Sequence, residues 1–292
     1  MTIRKDRKII TYLNHIFMQK PLSFQSKLKL IIVPPYRIFN SIFRINILDI
    51  IKRIRGLWCY LLDGFHYNRL SSDRNSFSIS LRNLYPCLDD RYDNAGSTKG
   101  DYFHQDLWVA RKIFTANPNE HWDIGSRIDG FITHLLTFRA VNVMDIRPLE
   151  STVSGLFYHK GNITNLSHLD DSVESLSCLH TMEHIGLGRY GDPIDPLGYL
   201  KGMNELQRVL KPGGKLYFSV PIGQERVEFN AHRVFNPMTI LKTFSSLNLV
   251  EFVAVNAAGD LMSSVQPEDF KDVRYACGIF IFQKSSLNET SL

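Results

Sequence analysis

From residue 120 onward, the sequence alternates between short apolar runs and longer segments whose apolar residues have helical spacing. The apolar runs predict strands over 121–124, 140–144, 156–159, 173–180, 215–220, 250–255 and 278–283. Helices are predicted between them over 131–138, 196–210 and 237–247, and before them over 101–115. Strands that alternate with helices of this length form a mostly parallel sheet with helices on both faces. Ligands of such sheets bind at the carboxyl ends of the strands, near the point where the strand order reverses.

The basic residues of the chain are concentrated near its beginning. Residues 1–58 contain 12 Lys or Arg and 2 Asp or Glu, a net charge of +10, whereas the other 234 residues contain 22 and 27, a net charge of −5. A basic arm on a mildly acidic body indicates that the arm has a partner of its own. We therefore predict a basic helical arm over residues 1–75 and an α/β domain over residues 76–292.

Apolar residues recur at helical spacing across 38–61, with Arg and Lys between them, and this pattern predicts a basic amphipathic helix. Two interpretations stay open: the helix packs on the α/β domain, or residues 1–58 make peripheral contact with an anionic membrane. No nucleic-acid partner is expected, because no binding motif accompanies the charge. Segments 63–78 and 89–100 are rich in Asn, Ser, Asp and Gly, which predicts loops.

Localisation signals are few. No stretch reaches the roughly 18 uncharged apolar residues that a spanning helix needs, and the first residues predict no secretory signal. Four widely separated cysteines without a C-x-x-C pair indicate a reduced, cytoplasmic protein.

Polar residues follow the first two strands of the predicted sheet. Asp123 begins a strand–turn–helix segment, D-I-G-S-R-I-D-G, with Gly125 where the backbone must come close to a ligand. Asp145 lies 22 residues after Asp123, at the end of the next strand, where an acid can accept hydrogen bonds from ribose hydroxyls. The turn fits the G-x-G-x-x-G pattern of nicotinamide-dinucleotide sites poorly, so NAD is the weaker cofactor candidate.

Several strings extend this pattern: DIGS, GNITNL, LHTMEH and LQRVLKPGGKLYFSVP. In this order they resemble the successive motifs of class I S-adenosylmethionine-dependent methyltransferases. GDYFHQDLWVARKIF, DIGSRIDGF, EHIGLGRYGDPIDP and NAHRVFNP resemble, more narrowly, a branch known only as a domain of unknown function. The resemblance covers about residues 100–285. It implies a Rossmann-like, mostly parallel seven-stranded sheet with an antiparallel last strand, and S-adenosylmethionine as the cofactor.

The resemblance also assigns positions around that cofactor. It implies that Asp123, Gly125 and Ser126 line the methionine side, Asp145 the ribose, Asn162 and Ile163 the adenine, and His180 the floor beside the transferable methyl group. The sequence departs from the family pattern at two places. Arg127 and Asp129 occupy the second and third glycine positions of the turn, and Asn162 stands where many members have an acid.

Candidate substrate and catalytic residues follow the fourth and fifth strands. Methyl transfer to a hydroxyl requires a group that accepts its proton, and histidine is a natural base near neutral pH. His184 is our first candidate for this base and Glu183 the second. The substrate candidates are the loop residues Arg189, Tyr190 and Asp192, with His232 and Arg233 after the fifth strand. The loop over 186–196 has an alternative, purely structural interpretation. Tyr102, Phe103 and His104 are candidates either for a lid on the cofactor or for core packing.

His180-Thr-Met-Glu-His184 also fits H-x-x-E-H, the pattern of inverted zinc peptidases. That chemistry needs both histidines on one helical face, whereas a strand is predicted to run into His180, so no metal site is predicted. The resemblance implies a methyltransferase, which we predict to act on a small polar acceptor, with a sugar or glycan precursor as one candidate. The alternative is a non-catalytic binding or scaffold protein with the same fold.

Overall fold

The computed structural model describes residues 47–71, 77 and 79–286. The chain divides into two compact units, Met1–Gly96 and Ser97–Leu292. The domain boundary predicted after residue 75 falls inside the first unit, next to residues outside the described part, and it stays a prediction.

The first unit contains helix α1, Ile47–Leu70, and two short 3-10 helices, Leu81–Asn83 and Asp90–Tyr92. The part of the predicted helix before residue 47 lies outside the described residues. The loop predicted from residue 63 is wrong over its first eight residues, because α1 continues to Leu70. Asp63 and Gly64 suggest a break in the sequence, but Asp63 forms an ion pair with Arg91 and stays within the helix. Within the described part of the chain, no helix combines the length and hydropathy that crossing a bilayer requires.

The second unit is built on one large sheet. Its strands are β1 Trp122–Ile124, β2 Val141–Asp145, β3 Leu156–Lys160, β4 Val173–Leu179, β5 Leu210–Ile222, β8 Leu247–Val255, β9 Leu261–Met262 and β10 Ala276–Lys284. The strand order is β3-β2-β1-β4-β5-β10-β8-β9. Strands β1 to β5 pair in parallel, and β10 lies antiparallel between β5 and β8. The predicted mostly parallel sheet with an antiparallel last strand is confirmed.

The predicted count of seven strands is corrected to eight, because the short strand β9 pairs with the edge of β8. A separate two-stranded sheet, β6 Arg226–Glu228 and β7 His232–Val234, was not predicted. Its strands are three residues long, too short for an alternating apolar pattern to stand out. Strand β5 begins at Leu210, five residues before the predicted start, because Leu210 already pairs with Val173 of β4.

Helices cover both faces of this sheet, as predicted. Helix α2, Asp101–Ala116, and helix α3, Thr133–Leu136, share one apolar cluster with the sheet; a π-helical turn, Ile128–Ile132, leads into α3. Helix α4, Gly198–Val209, and helix α5, Pro237–Thr243, border the other cluster, which contains Met203, Leu206, Ile240 and the rings of Phe218 and Phe280.

The chain order reverses between β1 and β4, which are neighbours in the sheet. From β1 the chain runs outward to β2 and β3, and from β4 it runs outward to β5 in the other direction. The loops that leave β1 and β4 therefore diverge, and a crevice opens at their carboxyl ends.

Candidate functional site

A cavity of about 310 Å³ lies at the carboxyl ends of β1 to β4. This volume is at the lower end of the roughly 300–1,000 Å³ that is common for small-molecule sites. Its wall brings together eleven predicted site residues: Gly125, Asp145, Asn162, Ile163, His180, Glu183, His184, Arg189, Tyr190, Asp192 and His232. Asp123, Ser126 and Arg233 do not line it.

Asp123 lies behind the cavity wall, completely buried. Its carboxylate accepts hydrogen bonds from Ser126 N at 3.0 Å, from Ser126 Oγ at 2.6 Å and from Ser177 Oγ at 2.5 Å. Burial raises the pKa of Asp123 to about 6, although these hydrogen bonds lower it. Asp123 and Ser126 thus hold the turn after β1 in place, and the structure puts neither on the surface that a ligand would touch.

The hydrogen bonds of Asp123 continue into the sheet. His121 is buried, with Nε2 3.0 Å from Ser177 Oγ and Nδ1 2.8 Å from Ser175 Oγ. Burial lowers the pKa of His121 to about 3, so the ring is neutral. We call the five residues His121, Asp123, Ser126, Ser175 and Ser177 the buried serine network. Sequence reasoning did not identify it as a unit, because its members lie on different strands.

Gly125 lies two residues after Asp123, and its backbone lines the cavity. Its φ of +77° is a left-handed conformation, and a Cβ atom there would lie 2.5 Å from Thr181 Cγ2. Only glycine fits this position without displacement. The predicted close approach of backbone to ligand is therefore geometrically available here.

Asp145 lies at the end of β2, where it was predicted, but its carboxylate has a partner in the chain. Arg147 donates from Nε to Oδ1 at 3.0 Å and from Nη2 to Oδ2 at 2.6 Å. The same guanidinium lies 4.6 Å from the ring centre of Tyr190. Arg147 therefore joins the end of β2 to the loop over 186–196 across the cavity. Sequence reasoning missed it; the available signal was a cation two residues after the expected ribose-binding acid.

Asn162 and Ile163 follow β3 and line the cavity. Asn162 Oδ1 accepts hydrogen bonds from Thr164 N at 3.0 Å and from Thr164 Oγ1 at 2.9 Å. The side-chain oxygen Oδ1 of Asn162 therefore stabilises the local turn. The side-chain Nδ2 group is the hydrogen-bond donor that Asn162 offers to a ligand. Ile163 is buried and supplies an apolar surface beside it.

His180 lies at the end of β4 in a left-handed conformation, with φ of +48°. Its Nδ1 lies 2.5 Å from Gln105 Oε1, an acceptor, so Nδ1 carries the proton and Nε2 the lone pair. Burial lowers the pKa of His180 to about 3 and keeps it neutral. Its Nε2 is 4.0 Å from Asp101 Oδ2, which accepts a hydrogen bond from Tyr275 OH at 2.5 Å. Asp101 and Tyr275 also line the cavity and were not predicted from the sequence.

Glu183 and His184 lie together on the 3-10 helix Met182–His184. Glu183 is only 1% exposed, and its Oε2 has no hydrogen-bond partner among the described residues. Burial raises the pKa of Glu183 to about 8, so the carboxyl is largely protonated at neutral pH.

His184 has a defined tautomer. Its Nδ1 lies 2.7 Å from the carbonyl oxygen of Ala231, so Nδ1 donates and Nε2 has the lone pair. That Nε2 is 3.5 Å from Glu183 Oε1. Burial lowers the pKa of His184 to about 4. A neutral acid and a neutral imidazole therefore face each other in the cavity wall.

The loop over 186–196 is shaped by its own acids. Asp192 accepts hydrogen bonds from Gly186 N at 2.7 Å and from Tyr190 N at 3.3 Å. Arg233 is 6% exposed and supports the loop from behind, donating to the carbonyl oxygen of Ile185 at 2.6 Å. Of the predicted substrate residues, Asp192 lines the cavity, but its carboxylate accepts hydrogen bonds from the loop itself. Arg233 does not line the cavity.

Arg189, Tyr190 and His232 present their side chains at the cavity wall. Arg189 donates from Nη1 to the carbonyl oxygen of Ala231 at 2.9 Å, and Tyr190 is 39% exposed. His232 Nε2 lies 3.9 Å from Glu228 Oε2, and burial lowers the pKa of His232.

Of the three residues on α2 that are candidates for a lid, only one lines the cavity. Tyr102 lines the cavity, with Arg127 4.9 Å from its ring centre. Phe103 and His104 do not line the cavity; their rings lie 5.3 Å apart in an edge contact.

The H-x-x-E-H string spans the end of β4 and the following 3-10 helix, so its histidines do not share a helical face. Their Nδ1 atoms are engaged separately, by Gln105 and by Ala231. The described residues contain no group of three His, Cys, Asp or Glu side chains that could hold a metal ion.

Three solved structures illustrate what the chain is similar to. The cyclase SpnF is 10% identical, with 62% of this chain and 82% of that chain covered and a TM-score of 0.45. The N-methyltransferase NodS from Bradyrhizobium japonicum, in complex with S-adenosyl-L-homocysteine, is 13% identical over 63% of this chain and 88% of that chain, with a TM-score of 0.42. A SAM-dependent methyltransferase from Methanosarcina mazei is 16% identical over 57% of this chain and 92% of that chain, with a TM-score of 0.40. Comparison with curated proteins finds no match.

Residues 155–274 match a protein family described as "Caenorhabditis protein of unknown function, DUF268". The match includes the cavity-lining loop over 186–196 and the EHIGLGRYGDPIDP and NAHRVFNP strings. The strings before residue 155 lie outside it. The chain is thus similar to that family over residues 155–274, a range that includes the sheet strands β3, β4, β5, β8 and β9.

Proposed function

We propose that this chain binds S-adenosylmethionine in the cavity and transfers its methyl group to a small polar acceptor. One observation carries the proposal: a single cavity gathers the carboxyl ends of β1 to β4, with Asp145 at the end of β2 and Gly125 at the turn after β1. These are the positions at which nucleotide-containing ligands bind in sheets of this kind.

The donors and acceptors of the wall fit the parts of that cofactor. Asp145 is the acceptor for the two ribose hydroxyls, and Asn162 Nδ2 and Ile163 suit the adenine edge and face. Arg127 and Asp101 line the opposite side and match the carboxylate and the ammonium of an amino-acid group. The Arg127 guanidinium donates to the Asp129 carboxylate from Nε at 3.2 Å and from Nη2 at 3.0 Å, so a ligand carboxylate would share this guanidinium with Asp129.

When bound, the cofactor supplies an electrophilic methyl group on a positively charged sulfur. His180 adds no opposing positive charge at the floor of the cavity, because burial lowers its pKa to about 3. The ring of Tyr102, 5.1 Å from that of His180, also lines the cavity, and it already has the Arg127 guanidinium over it at 4.9 Å.

His184 is the first proposed proton acceptor, and Glu183 is the second, in the ionised form that it takes above its pKa of about 8. The proton of an acceptor hydroxyl goes to His184 Nε2, since Nδ1–H is held by the carbonyl oxygen of Ala231. The neighbouring Glu183 carboxyl has its Oε1 3.5 Å from that Nε2, and it stabilises the resulting imidazolium in its ionised form, which predominates above its pKa of about 8. General-base catalysis of this kind contributes about 10²–10⁴ in rate.

Tyr190 and Arg189 suit a sugar or glycan precursor as the acceptor. An aromatic ring can stack on the apolar face of a sugar, and a guanidinium binds a carboxylate or phosphate in a fork. His232 lies at the same part of the wall and adds a further polar group.

A non-catalytic binding or scaffold protein is the second candidate, and one observation favours it. The carboxylate of Asp145 is already engaged by the guanidinium fork of Arg147. A protein whose ribose-binding acid is permanently paired would keep the fold without binding the cofactor.

Calorimetric titration with S-adenosylhomocysteine distinguishes the two candidates. We expect binding by the unaltered protein and at least about tenfold weaker binding by Asp145→Ala, because hydrogen bonds to a charged group contribute about 1.5–3 kcal/mol. Asp170→Ala is the matched control, since it removes an aspartate that pairs with Arg208 outside the cavity. No heat and no thermal shift at millimolar ligand would overturn the methyltransferase proposal in favour of the scaffold.

A further inference from the structure

Helix α1 of the first unit exposes its apolar side. Successive residues of a helix are rotated by about 100°, so that eight large apolar residues of α1 fall within an arc of about 140°. We call them the apolar stripe: Ile50, Ile51, Ile54, Leu57, Trp58, Leu61, Leu62 and Phe65. All eight are between 45% and 72% exposed.

The opposite, more polar side of α1 is the side that its own unit covers. Arg53 Nε lies 3.4 Å from Asp89 Oδ2, and Asp63 pairs with Arg91. Tyr67 OH donates to the carbonyl oxygen of Phe77 at 2.8 Å. Gly56 faces the backbone of Leu88, where any side chain would collide.

This arrangement inverts the usual one, in which the apolar side of an amphipathic helix faces the core. A continuous exposed apolar patch of this kind marks an interaction surface. We propose that the apolar stripe binds the surface of an anionic lipid bilayer, with α1 lying in the plane of the interface.

Charge complementarity favours a bilayer over a protein partner. Residues 1–58 carry a net charge of +10, which anionic headgroups attract. On the helical wheel, Arg55 falls beside the stripe, Arg69 falls within its arc about one turn beyond Phe65, and Trp58 falls between the two edges of the stripe. An apolar face with basic flanks and a tryptophan is the composition of helices that lie at membrane surfaces. Binding of the stripe to a bilayer does not require the proposed methyl transfer.

The full-length protein is tested by co-sedimentation with phosphatidylcholine vesicles that either contain or lack phosphatidylserine. We expect pelleting with the anionic vesicles at low salt, reduced at ~0.5 M salt because screening weakens the attraction of the basic residues. The emission of Trp58 should shift to the blue on binding, and Trp58→Phe should lack that change.

The stripe is tested by the double variant Ile54→Glu with Leu61→Glu, which should partition at least about tenfold more weakly because two apolar side chains are lost from the interface. The matched control is Leu81→Glu with Tyr85→Glu, which makes the same charge change at residues of the same unit that are 87% and 85% exposed and lie outside α1. The control should bind like the unaltered protein.

Three results would overturn the proposal: no pelleting with anionic vesicles, equal loss in both double variants, or unchanged binding by the stripe variant. Thermal unfolding and light scattering of the stripe variant without lipid test whether protein covers the stripe instead of a bilayer. A lowered melting temperature would mean that another part of this chain covers the stripe. A dimer that dissociates in the variant would mean that a second copy covers it.

Discussion

Two polar clusters are buried near the cavity, and they differ in how completely they are hydrogen-bonded. In the buried serine network, the Asp123 carboxylate accepts three hydrogen bonds and both nitrogens of His121 lie within 3.0 Å of serine hydroxyls. In the pair formed by Glu183 and His184, one carboxyl oxygen has no partner among the described residues, and the distance from His184 Nε2 to Glu183 Oε1 is 3.5 Å.

The difference predicts a structural role for the first cluster and a functional role for the second. A saturated buried network stabilises a particular backbone arrangement, and here it joins the turn after β1 to β4. An unsatisfied buried carboxyl costs free energy in the absence of a ligand and is retained where a ligand or a proton transfer uses it. Because the second cluster lines the cavity and the first does not, we expect substitutions in the first to act on stability and those in the second on pH response and chemistry.

The largest expected effect is the loss of stability in Asp123→Ala. The substitution leaves Ser126 N, Ser126 Oγ and Ser177 Oγ without their acceptor, so the free energy of unfolding should fall by about 3 kcal/mol. Urea denaturation at pH 7 measures this. Asp129→Ala removes an exposed acid from the same turn and should stay within about 0.5 kcal/mol of the unaltered protein. Equal stabilities of the two variants would show that the network does not support the fold.

Glu183→Gln should change the pH dependence of stability between pH 6.5 and 8. Folding raises the pKa of Glu183 from 4.5 to about 8, so in this window the folded state holds a proton that the unfolded state has released. Stability of the unaltered protein is therefore lost as the pH rises, with a contribution of up to about 1.4 kcal/mol per pH unit. The glutamine variant lacks this contribution.

The buried histidines change the stability in a different pH range. The comparison of the two proteins between pH 6.5 and 8 therefore reports on Glu183. The pKa values of His121 and His180 fall from 6.5 to about 3 and that of His184 to about 4, so their stabilising contribution is present above pH 6.5 and is lost as the pH falls. Denaturation of both proteins at pH 6.5, 7.25 and 8 is the measurement. Parallel curves would contradict the assignment of a buried, protonated Glu183.

Asp145 shares one feature with each cluster: it lines the cavity, and its carboxylate is hydrogen-bonded by Arg147. If Arg147 competes with ribose hydroxyls for the Asp145 carboxylate, Arg147→Ala should tighten the binding of S-adenosylhomocysteine by about fivefold, since a partly exposed ion pair is worth about 1 kcal/mol or less. Calorimetry measures the change, with Arg111→Ala, on the exposed side of α2, as the control for the lost charge. Weaker binding would mean that Arg147 contacts the ligand itself.

Much of this architecture could be predicted from the sequence. Strand and helix periodicity are local signals, so the strands over 141–145 and 156–160 and the helix over 101–116 were predicted to within a residue or two. Asp145 was predicted at the ligand-binding edge because the carboxyl ends of parallel strands share one edge of a sheet, and Asn162 and His180 were assigned to the same site by the family resemblance. The membrane contact of the arm and the roles of the site residues stay predictions.

The sequence by itself determined the order of the elements, the edge of the sheet at which a ligand can bind and the charge of the arm, because each depends on residues that are near one another in the chain. Only the tertiary structure decided which polar side chains face that ligand. Asp123 turns toward Ser177, 54 residues away, and Arg233 toward Ile185, 48 residues away. The orientation of a side chain depends on partners that the fold brings to it, and no local pattern encodes contacts over such separations.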